Sequence, residues 1–389
     1  MDTYGIGGYG AMIADRTRID AYREALRRVV TPESVVLDLG TGTGVFAFLA
    51  CELGARHVYA VESTSAIDLA REIASRNGLA DRITFIYGPS TKVSMPEHAD
   101  VMVSDMRGVL PLFERHVPAI VDARTHLLSP RGTLIPLRDE IWVSPVDVPD
   151  LYHEITGPWE DAPGGVQMDA ARQMATQSWR QARIGTEHLL AAPQLWARLD
   201  YARIEEPNVE ATLQWTVQRA GTAHGFAAWF STELAEGVGF SNAPGGAELI
   251  YGQAFFPWID EVPVFGGDTI EISLSANLVQ QDYVWNWNSR VIRPGGPAGG
   301  GQGGVRAQFL QSTFHGQCLS LGKLNQREAG FVPVLGVAGE IARFILAKMD
   351  GATDLATIAE ALLDAFPEEF PDQQAALDSV GRMSLEYGE

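Results

Sequence analysis

Four short apolar segments, separated by stretches with helical periodicity, constrain the fold of this chain more than any other feature. They are Val35–Leu39, His57–Glu62, Ile83–Tyr87 and Ala99–Ser104, and the stretch from Ala66 to Asn77 is typical of the amphipathic patterns between them. Strands joined through helices pair in parallel, because the crossover returns the chain to the end of the sheet from which it started. The pattern predicts an α/β fold with a Rossmann-like, doubly wound parallel sheet, whose ligands bind at the carboxyl ends of the strands.

The first of these strands runs directly into a glycine-rich loop, Asp38 to Gly44, which precedes a helix. Gly40, Gly42 and Gly44 allow the backbone to pass close to a ligand, where a Cβ atom would clash. Val45 stands where the dinucleotide fingerprint requires its next glycine, and no lysine of the pyrophosphate-loop kind follows. The loop therefore predicts a nucleoside site that is neither a dinucleotide site nor a triphosphate site.

Glu62 ends the second strand, at the same edge of the sheet as the glycine loop, and Ser63 follows it. A carboxylate at this position can accept hydrogen bonds from both hydroxyl groups of a ribose. Loop and acid together predict a pocket for S-adenosyl-L-methionine. Asp38 is expected to hold the ammonium group of this cofactor through a charge-assisted bond of about 1.5–3 kcal/mol.

Beyond about Leu137 the pattern changes to alternating apolar and polar residues, separated by turn signals such as Ala243 to Gly246. This alternation is typical of half-buried antiparallel strands and predicts a β-barrel domain. The segment from Pro294 to Gly304 has the composition of a flexible linker, and helical spacing resumes after Ile341. The expected domains are a cofactor-binding domain at 1–136, a barrel at 137–293 with a helical arm at about 160–185, a linker at 294–304 and a small helical, winged domain at 305–389.

The net charge of −20 argues against a generally basic surface of the kind that binds nucleic acid, and it would suit a cationic substrate. No apolar run reaches the roughly 18 residues of a membrane span, and no signal-peptide pattern opens the chain. Cys51 and Cys318 lie far apart and show no metal-ligand spacing, so no metal is expected. We therefore expect a cytoplasmic protein in a reducing compartment.

The segment from Met12 to Tyr22 resembles the amino-terminal segment of protein arginine methyltransferases, in which a methionine, an aspartate, an arginine and a tyrosine recur in this register. The likeness continues through Val36 to Gly44 and Gly54 to Glu62, and Leu134-Ile135-Pro136 resembles the family's crossing from sheet to barrel. It covers residues 4 to about 292. The resemblance implies an S-adenosyl-L-methionine-dependent methyltransferase that forms a homodimer through its helical arm.

By the same resemblance, Arg18 would bind the methionine carboxylate of the cofactor, since an arginine fork matches a carboxylate. Arg16 is the alternative if the register slips. Ser90 and Thr91 would lie beside the adenine, although the family usually has an acid at the position of Thr91.

The family holds its guanidinium substrate between two glutamates, and the resemblance places Asp105 and Glu114 at those positions as the catalytic acids. Two carboxylates facing a cation can orient it and leave one nitrogen lone pair aimed at the methyl group. The chain departs from the family here. Asp105 is one methylene shorter than glutamate, Arg107 adds a positive charge that can pair with an acid, and Leu249-Ile250-Tyr251 replaces the family's Thr-His-Trp loop. An acceptor other than arginine, such as a histidine nitrogen, therefore stays open.

The segment from Leu346 to Ile358 resembles the PqqD family, in which an apolar helix, Asp-Gly, a short polar turn and a second helix recur. The segments Ala307 to Phe314 and Phe331 to Leu335 would supply strands of its winged part. The resemblance implies recruitment of a precursor peptide, whose leader adds a strand to a sheet edge. Tethering would raise the local concentration of the residue to be modified.

Taken together, the sequence predicts methyl transfer to a side-chain nitrogen, of arginine or of histidine, in a ribosomally made peptide or protein recruited by the carboxy-terminal domain. One alternative is an ordinary protein arginine N-methyltransferase with an incidental tail. Another is a catalytically silent peptide-binding protein that retains the fold. The sequence leaves undetermined the methylated atom, the number of methyl groups and the identity of the peptide.

Overall fold

The computed structural model describes residues 5–160, 162–294, 304–318 and 320–388. The chain divides into two compact units, Met1–Gln317 and Cys318–Glu389. Residues 295–303 of the expected linker lie outside the described residues. Among the described residues, no helix combines the length and the apolar character needed to cross a membrane.

The amino-terminal part of the first unit alternates strands and helices, as the apolar pattern predicts. All four strands read from the sequence form with the predicted bounds. The elements are α1 (Ile6–Ala14), α2 (Arg16–Val29), β1 (Val35–Leu39), α3 (Val45–Glu52), β2 (His57–Glu62), α4 (Ala66–Arg76), β3 (Ile83–Tyr87), β4 (Ala99–Ser104), α5 (His116–His126) and β5 (Leu128–Ile135).

These five strands form one parallel sheet in the order β3-β2-β1-β4-β5. The chain builds outward from β1 to β3 and then returns to the other side of β1, which confirms the predicted doubly wound sheet. The order reverses between β1 and β4. The loops that follow these two strands diverge there and leave a crevice at the carboxyl edge of the sheet, where ligands bind in folds of this kind.

The second part of the unit is an antiparallel, barrel-like domain of two sheets. One sheet has the order β7-β12-β10-β6-β8, with β11 paired to β10, and the other has the order β15-β14-β13-β9. The elements are β6 (Arg138–Val146), α6 (Pro149–Glu160), α7 (Asp169–Ala175), β7 (Arg180–Ala182), β8 (Gln194–Asp200), β9 (Val209–Thr216), β10 (Gly221–Ala235), β11 (Val238–Ser241), β12 (Gln253–Val264), β13 (Thr269–Val279), β14 (Asp282–Arg293) and β15 (Gly304–Ser312).

Aromatic side chains fill the space between the two antiparallel sheets. Trp285 and Trp287 alternate along β14, so both point to one face, and both are buried. Their rings lie 5.4 and 5.3 Å from the ring of Phe256 on β12, which stacks on Phe226 of β10 at 4.7 Å. Side chains from both sheets thus interdigitate and belong to one buried apolar core.

Two expectations for the barrel domain need correction. In the described part of the segment 160–185, a 3-10 turn at Pro163–Gly165 and α7 follow the end of α6, a helix that the pattern did not indicate. The segment that begins at Ala307 forms a strand, but as part of β15 it pairs with β14 in the barrel. The boundary of the second unit therefore lies near residue 318 instead of 305. The boundary depends on tertiary structure, because β15 extends the sheet that carries Trp285 and Trp287.

The carboxy-terminal unit is helical. Its elements are α8 (Leu321–Asn325), α9 (Val337–Leu346), α10 (Leu355–Ala365) and α11 (Gln373–Tyr387). Asp354 and Asp372 cap α10 and α11 by accepting hydrogen bonds from the amides of Thr357 and Ala375. The core consists of Ile345, Ile358, Ala359, Leu362, Ala376 and Val380. The expected strand at 331–335 does not form, since this segment contains Pro333 and pairs with no strand in the described part of the unit.

Candidate active site

A cavity of about 930 Å³ opens at the switch point between β1 and β4. The glycine loop after β1, the end of β2, the loop after β4 and the first turn of α5 form its walls, together with residues of α1 and α2. Its size lies within the range of ligand pockets. Of the residues that the sequence singles out, Arg18, Gly40, Gly42, Glu62, Ser63, Ser90, Thr91, Asp105 and Glu114 line this cavity.

The glycine loop takes a backbone path that side chains disfavour. Gly40, Gly42 and Gly44 have φ angles of 75°, 53° and 92°, in the left-handed region. A Cβ at Gly42 would also lie 2.7 Å from the ring of Tyr9, which lines the cavity. Gly44 precedes α3, so the loop leads the amino terminus of that helix toward the cavity. The three glycines are therefore required by backbone conformation, in addition to the clearance expected from the sequence.

Glu62 is fixed in place by the loop that it faces. One of its carboxylate oxygens accepts a hydrogen bond from the amide of Gly42 at 2.8 Å, and the other accepts from the amide of Thr64 at 3.0 Å. The side chain is buried but lines the cavity. Each carboxylate oxygen can accept a second hydrogen bond. Glu62 is thus preorganised to receive two hydroxyl groups.

Asp38 lies beneath the loop and does not line the cavity. It is fully buried, and its Oδ2 accepts hydrogen bonds from the hydroxyl of Thr41 at 2.5 Å and the amide of Ala47 at 2.9 Å. Burial raises the pKa of this carboxyl group to about 7. The expected contact between Asp38 and a ligand ammonium stays a prediction, and Oδ1 of Asp38 has no hydrogen-bond partner among the described residues. The residue supports the loop and the start of α3 from below.

Ser90 and Thr91, which the resemblance placed beside an adenine, lie on the cavity wall. Ser90 and Thr91 belong to a single 3-10 turn after β3, with Ser90 buried and Thr91 exposed. Ser63, next to Glu62, is exposed on the same wall. Polar groups that follow two adjacent strands, β2 and β3, therefore line the same cavity.

Arg18 projects from α2 into the side of the cavity that lies opposite Ser90 and Thr91. Its Nε donates to Oδ2 of Asp105 at 2.5 Å and to the hydroxyl of Tyr251 at 3.0 Å, and a terminal nitrogen donates to the carbonyl of Met12. Burial opposes its charge, but Asp105 outweighs this effect and raises the pKa of Arg18. Arg16 is exposed and does not line the cavity. The structure therefore places Arg18, and not the alternative Arg16, at the site.

Asp105 is a buried carboxylate that faces two guanidinium groups. Its side chain is only 3% exposed. Oδ2 accepts from Arg18 and from the hydroxyl of Tyr251 at 2.7 Å, and Oδ1 lies 3.1 Å from Nε of Arg107, an ion pair without hydrogen-bond alignment. Burial disfavours its charged form, but Arg18 and Arg107 prevail and lower the pKa of Asp105. Asp105 lines the cavity, and its role toward an acceptor stays a prediction.

Arg107 is held from several directions. Its side chain is fully buried, and a terminal nitrogen donates to Oδ1 of Asp139 at 3.2 Å. The other terminal nitrogen donates to the hydroxyl of Tyr22 at 3.3 Å, and the guanidinium lies 5.2 Å from the ring centre of Phe230. Ion pairing with a second acid and contact with an aromatic face both stabilise this cation in its buried position.

A polar chain continues from Asp139 to the cavity wall. The hydroxyl of Tyr201 donates to Oδ2 of Asp139 at 2.6 Å, and Nε2 of His116 lies 3.0 Å from that hydroxyl oxygen. Because the hydroxyl proton is engaged by Asp139, Nε2 of His116 is the donor. Burial lowers the pKa of His116 to about 3, so the ring is neutral. The sequence gave no local signal for Asp139, Tyr201 or His116, since their partners are more than 30 residues away.

Glu114 stands on the loop between β4 and α5, on the exposed side of the cavity. Its φ angle is 41°, a left-handed conformation that a non-glycine residue adopts at a cost of about 1–3 kcal/mol. Strain of this size persists where the surroundings enforce it, and it is concentrated at functional sites. The loop thus brings Glu114 to the same cavity as Asp105, and the acceptor role that the resemblance implies for the two acids stays a prediction.

Comparisons with known proteins agree with this geometry. Residues 138–290 match the model of the arginine methyltransferase oligomerization subdomain, and residues 23–130 match that of the ribosomal protein L11 methyltransferase. Probable protein arginine N-methyltransferase 6 of Arabidopsis thaliana is 30% identical over 237 residues, which are 59% of this chain and 54% of that protein. The chain thus spans about half the length of this relative.

Two solved structures share the fold. Protein arginine methyltransferase 10 of Arabidopsis thaliana has a TM-score of 0.68 at 22% identity, and an enzyme–prozyme complex of protein arginine methyltransferase 1 from Trypanosoma brucei, with AdoHcy, has a TM-score of 0.68 at 20% identity. In each case 79% of this chain and 98% of the other chain are covered. The chain is therefore similar to protein arginine methyltransferases in sequence and in fold.

Proposed function

We propose that this chain is an S-adenosyl-L-methionine-dependent methyltransferase that modifies a side-chain nitrogen of a peptide or protein. One observation carries the proposal. A single cavity joins a nucleoside-type end, formed by the glycine loop and Glu62, to an acid-lined end with Asp105 and Glu114. The similarity to protein arginine methyltransferases supports the same assignment.

The residues at the first end fit S-adenosyl-L-methionine. The amides of Gly42 and Thr64 each donate one hydrogen bond to a carboxylate oxygen of Glu62. Because each oxygen can accept a second hydrogen bond, Glu62 can also accept from two ribose hydroxyl groups. Ser90 and Thr91 would lie beside the adenine, and Arg18 would bind the carboxylate. The solved complex from Trypanosoma brucei contains AdoHcy, the demethylated form of this cofactor. When bound, the cofactor supplies a methyl group on a positively charged sulfur.

At the second end the chain must orient the acceptor nitrogen and exclude competing nucleophiles. Glu114 can accept a hydrogen bond from an N–H of the acceptor, which fixes the direction of the reacting lone pair. The same carboxylate stabilises the positive charge that develops on the nitrogen during transfer. Asp105 and Tyr251 form the buried floor of this end. Arginine and histidine are the two candidate acceptors, and they differ in charge at neutral pH.

The carboxy-terminal unit is proposed to recruit the substrate peptide, in line with its PqqD-like segment. Its segment 331–335 forms neither helix nor strand and exposes Val332 and Val334, which are 81% and 89% exposed, and a peptide strand could join it. Tethering by such a contact would allow a weak acceptor site to suffice. A homodimer is proposed as well, since residues 138–290 match an oligomerization subdomain.

Calorimetry of the purified chain with S-adenosyl-L-methionine tests the cofactor site directly, and absence of binding would refute the methyltransferase proposal. Mass spectrometry of candidate peptides then tests transfer. A mass increase of one methyl group excludes a catalytically silent binding protein. Loss of that increase when residues 318–389 are deleted distinguishes peptide recruitment from an arginine methyltransferase with an incidental tail.

A further inference from the structure

The turn between β13 and β14 forms a part of the cavity wall that the sequence did not indicate. Gln281 and Asp282, from the barrel domain, line the cavity together with Glu114 and Arg115 of the loop after β4. Nη1 of Arg115 donates a hydrogen bond to the carbonyl of Gln280 at 3.2 Å. The turn and the loop therefore meet beside the acceptor end of the cavity.

The backbone of this turn is strained. Val279 and Asp282 pair across the hairpin, which leaves Gln280 and Gln281 as a two-residue connection. Gln280 has a φ angle of 60°, a conformation for which two-residue hairpin turns favour glycine or asparagine. In the described part of the chain, Gln280 and Glu114 are the only residues other than glycine with a positive φ, and they belong to the two segments that meet here. Strain of this kind is concentrated at ligand-binding sites, so the turn is a candidate for contact with a ligand.

The position of Gln281 decides which part of a substrate it can contact. Gln281 is exposed and lines the cavity, so it stands at the mouth. A substrate residue whose side chain enters the cavity leaves its main chain at the mouth, because the polypeptide continues on both sides of that residue. Gln281 therefore stands where the main chain of a bound peptide would pass.

The side chain of Gln281 is complementary to a peptide group. Its carboxamide carries a carbonyl acceptor and two N–H donors, and each peptide group of a substrate offers one N–H donor and one C=O acceptor. The neighbouring Asp282 is an acceptor only, and its Oδ1 already accepts from the amide of Tyr283 at 2.7 Å. Of the two turn residues that line the cavity, Gln281 is thus the one that can both donate to and accept from a main chain.

Building on the function proposed above, we propose that Gln281 is a positioning residue of the acceptor end, whose carboxamide hydrogen-bonds the main chain of the substrate beside the modified residue. Such a contact limits how far the acceptor nitrogen can shift relative to the methyl donor. It does not depend on the side chains that flank the modified residue. The choice of substrate is then left to the modified residue itself and to recruitment.

Binding to the full chain tests the proposal. The protein is saturated with S-adenosylhomocysteine and titrated with two probes. One is a blocked pentapeptide with a central arginine between glycines, and the other is butylguanidine, which carries the same guanidinium without a main chain. We expect Gln281→Ala to weaken binding of the pentapeptide about tenfold, because two hydrogen bonds are lost, and to leave binding of butylguanidine unchanged. Gln308→Ala, which removes an exposed glutamine of β15 outside the cavity, is the matched control.

A second pentapeptide, in which esters replace the two peptide bonds that flank arginine, lacks the N–H groups at those bonds. We expect Gln281→Ala to weaken its binding less than that of the parent peptide, a difference that a general structural effect of the substitution would not produce. Equal weakening of all probes, unchanged affinity for the parent peptide, or no binding of that peptide to the loaded wild-type protein would overturn the proposal. Failure to bind S-adenosylhomocysteine would instead refute the cofactor site, so the two failures are distinguishable.

Discussion

Nε of Arg18 and Oδ2 of Asp105 lie 2.5 Å apart, although 87 residues separate them in the chain. This ion pair joins the side expected to bind the carboxylate of the cofactor to the side expected to bind the acceptor. A ligand carboxylate must therefore compete with Asp105 for the same guanidinium. Binding of a carboxylate at one end of the cavity would therefore change the charge at the other end.

Glu62→Ala should weaken S-adenosyl-L-methionine binding by about 1.5–3 kcal/mol, because hydrogen bonds from the ribose hydroxyl groups to a charged acceptor are lost. Isothermal calorimetry measures this difference. Glu52→Ala, which removes an exposed carboxylate at the end of α3, serves as the control and should leave affinity unchanged. Equal affinities of Glu62→Ala and the unaltered protein would show that the ribose lies elsewhere.

Glu114→Gln and Asp105→Asn should both abolish turnover, but they should differ in stability. Asp105→Asn leaves Arg18 and Arg107 without their shared buried partner, and we expect a loss of about 3–5 kcal/mol in the free energy of unfolding. Glu114 is exposed, so Glu114→Gln should retain both stability and cofactor binding. Denaturant titration and calorimetry separate the two effects. Turnover that survives both changes would rule out these acids as the acceptor site.

Glu114→Gly should raise the free energy of unfolding slightly, by about 1 kcal/mol, while it abolishes turnover. Glycine adopts a φ of 41° without the steric penalty of a side chain, although it gains entropy in the unfolded chain. Chemical denaturation of Glu114→Gly and Glu114→Gln, measured side by side, tests this. A less stable glycine variant would mean that the loop is not strained at this position.

The buried carboxyl group of Asp38 should make stability fall as pH rises from about 4 to about 7. Its folded-state pKa, raised by burial to about 7, exceeds the unfolded value, so the folded chain binds more protons in this window. One such group contributes a slope of up to about 1.4 kcal/mol per pH unit. Asp38→Asn should flatten the slope by that amount in urea titrations at several pH values. An unchanged slope would mean that Asp38 is ionised in the folded protein over this whole pH range.

Truncation after Gln317 should preserve the melting temperature of the first unit, whereas truncation after Gly304 should lower it by several degrees. The shorter chain loses β15 and the hydrogen bonds from Gln311 to the carbonyls of Thr176 and Pro257. Calorimetric melting of both truncated chains decides between the two boundaries. If both melted alike, β15 would contribute nothing to the barrel.

The sequence by itself determined the parallel sheet and the loops that end its strands. The strands from Val35 to Ser104 were predicted with their bounds because alternation of apolar runs with helical spacing is a local property, and the glycines at 40, 42 and 44 reflect a local backbone requirement. Asp105 and Glu114 were expected at the cavity because of the resemblance to the two acceptor glutamates of protein arginine methyltransferases, and both residues line it.

Only the tertiary structure decided which charges meet. Asp139 and Tyr251 belong to the barrel domain, yet they set the environment of Arg107 and Asp105. The same applies to β15, whose own residues read equally well as a strand of a separate domain. Partners that are distant in the chain leave no local pattern, because burial and electrostatic compensation depend on the packing of the barrel against the parallel sheet.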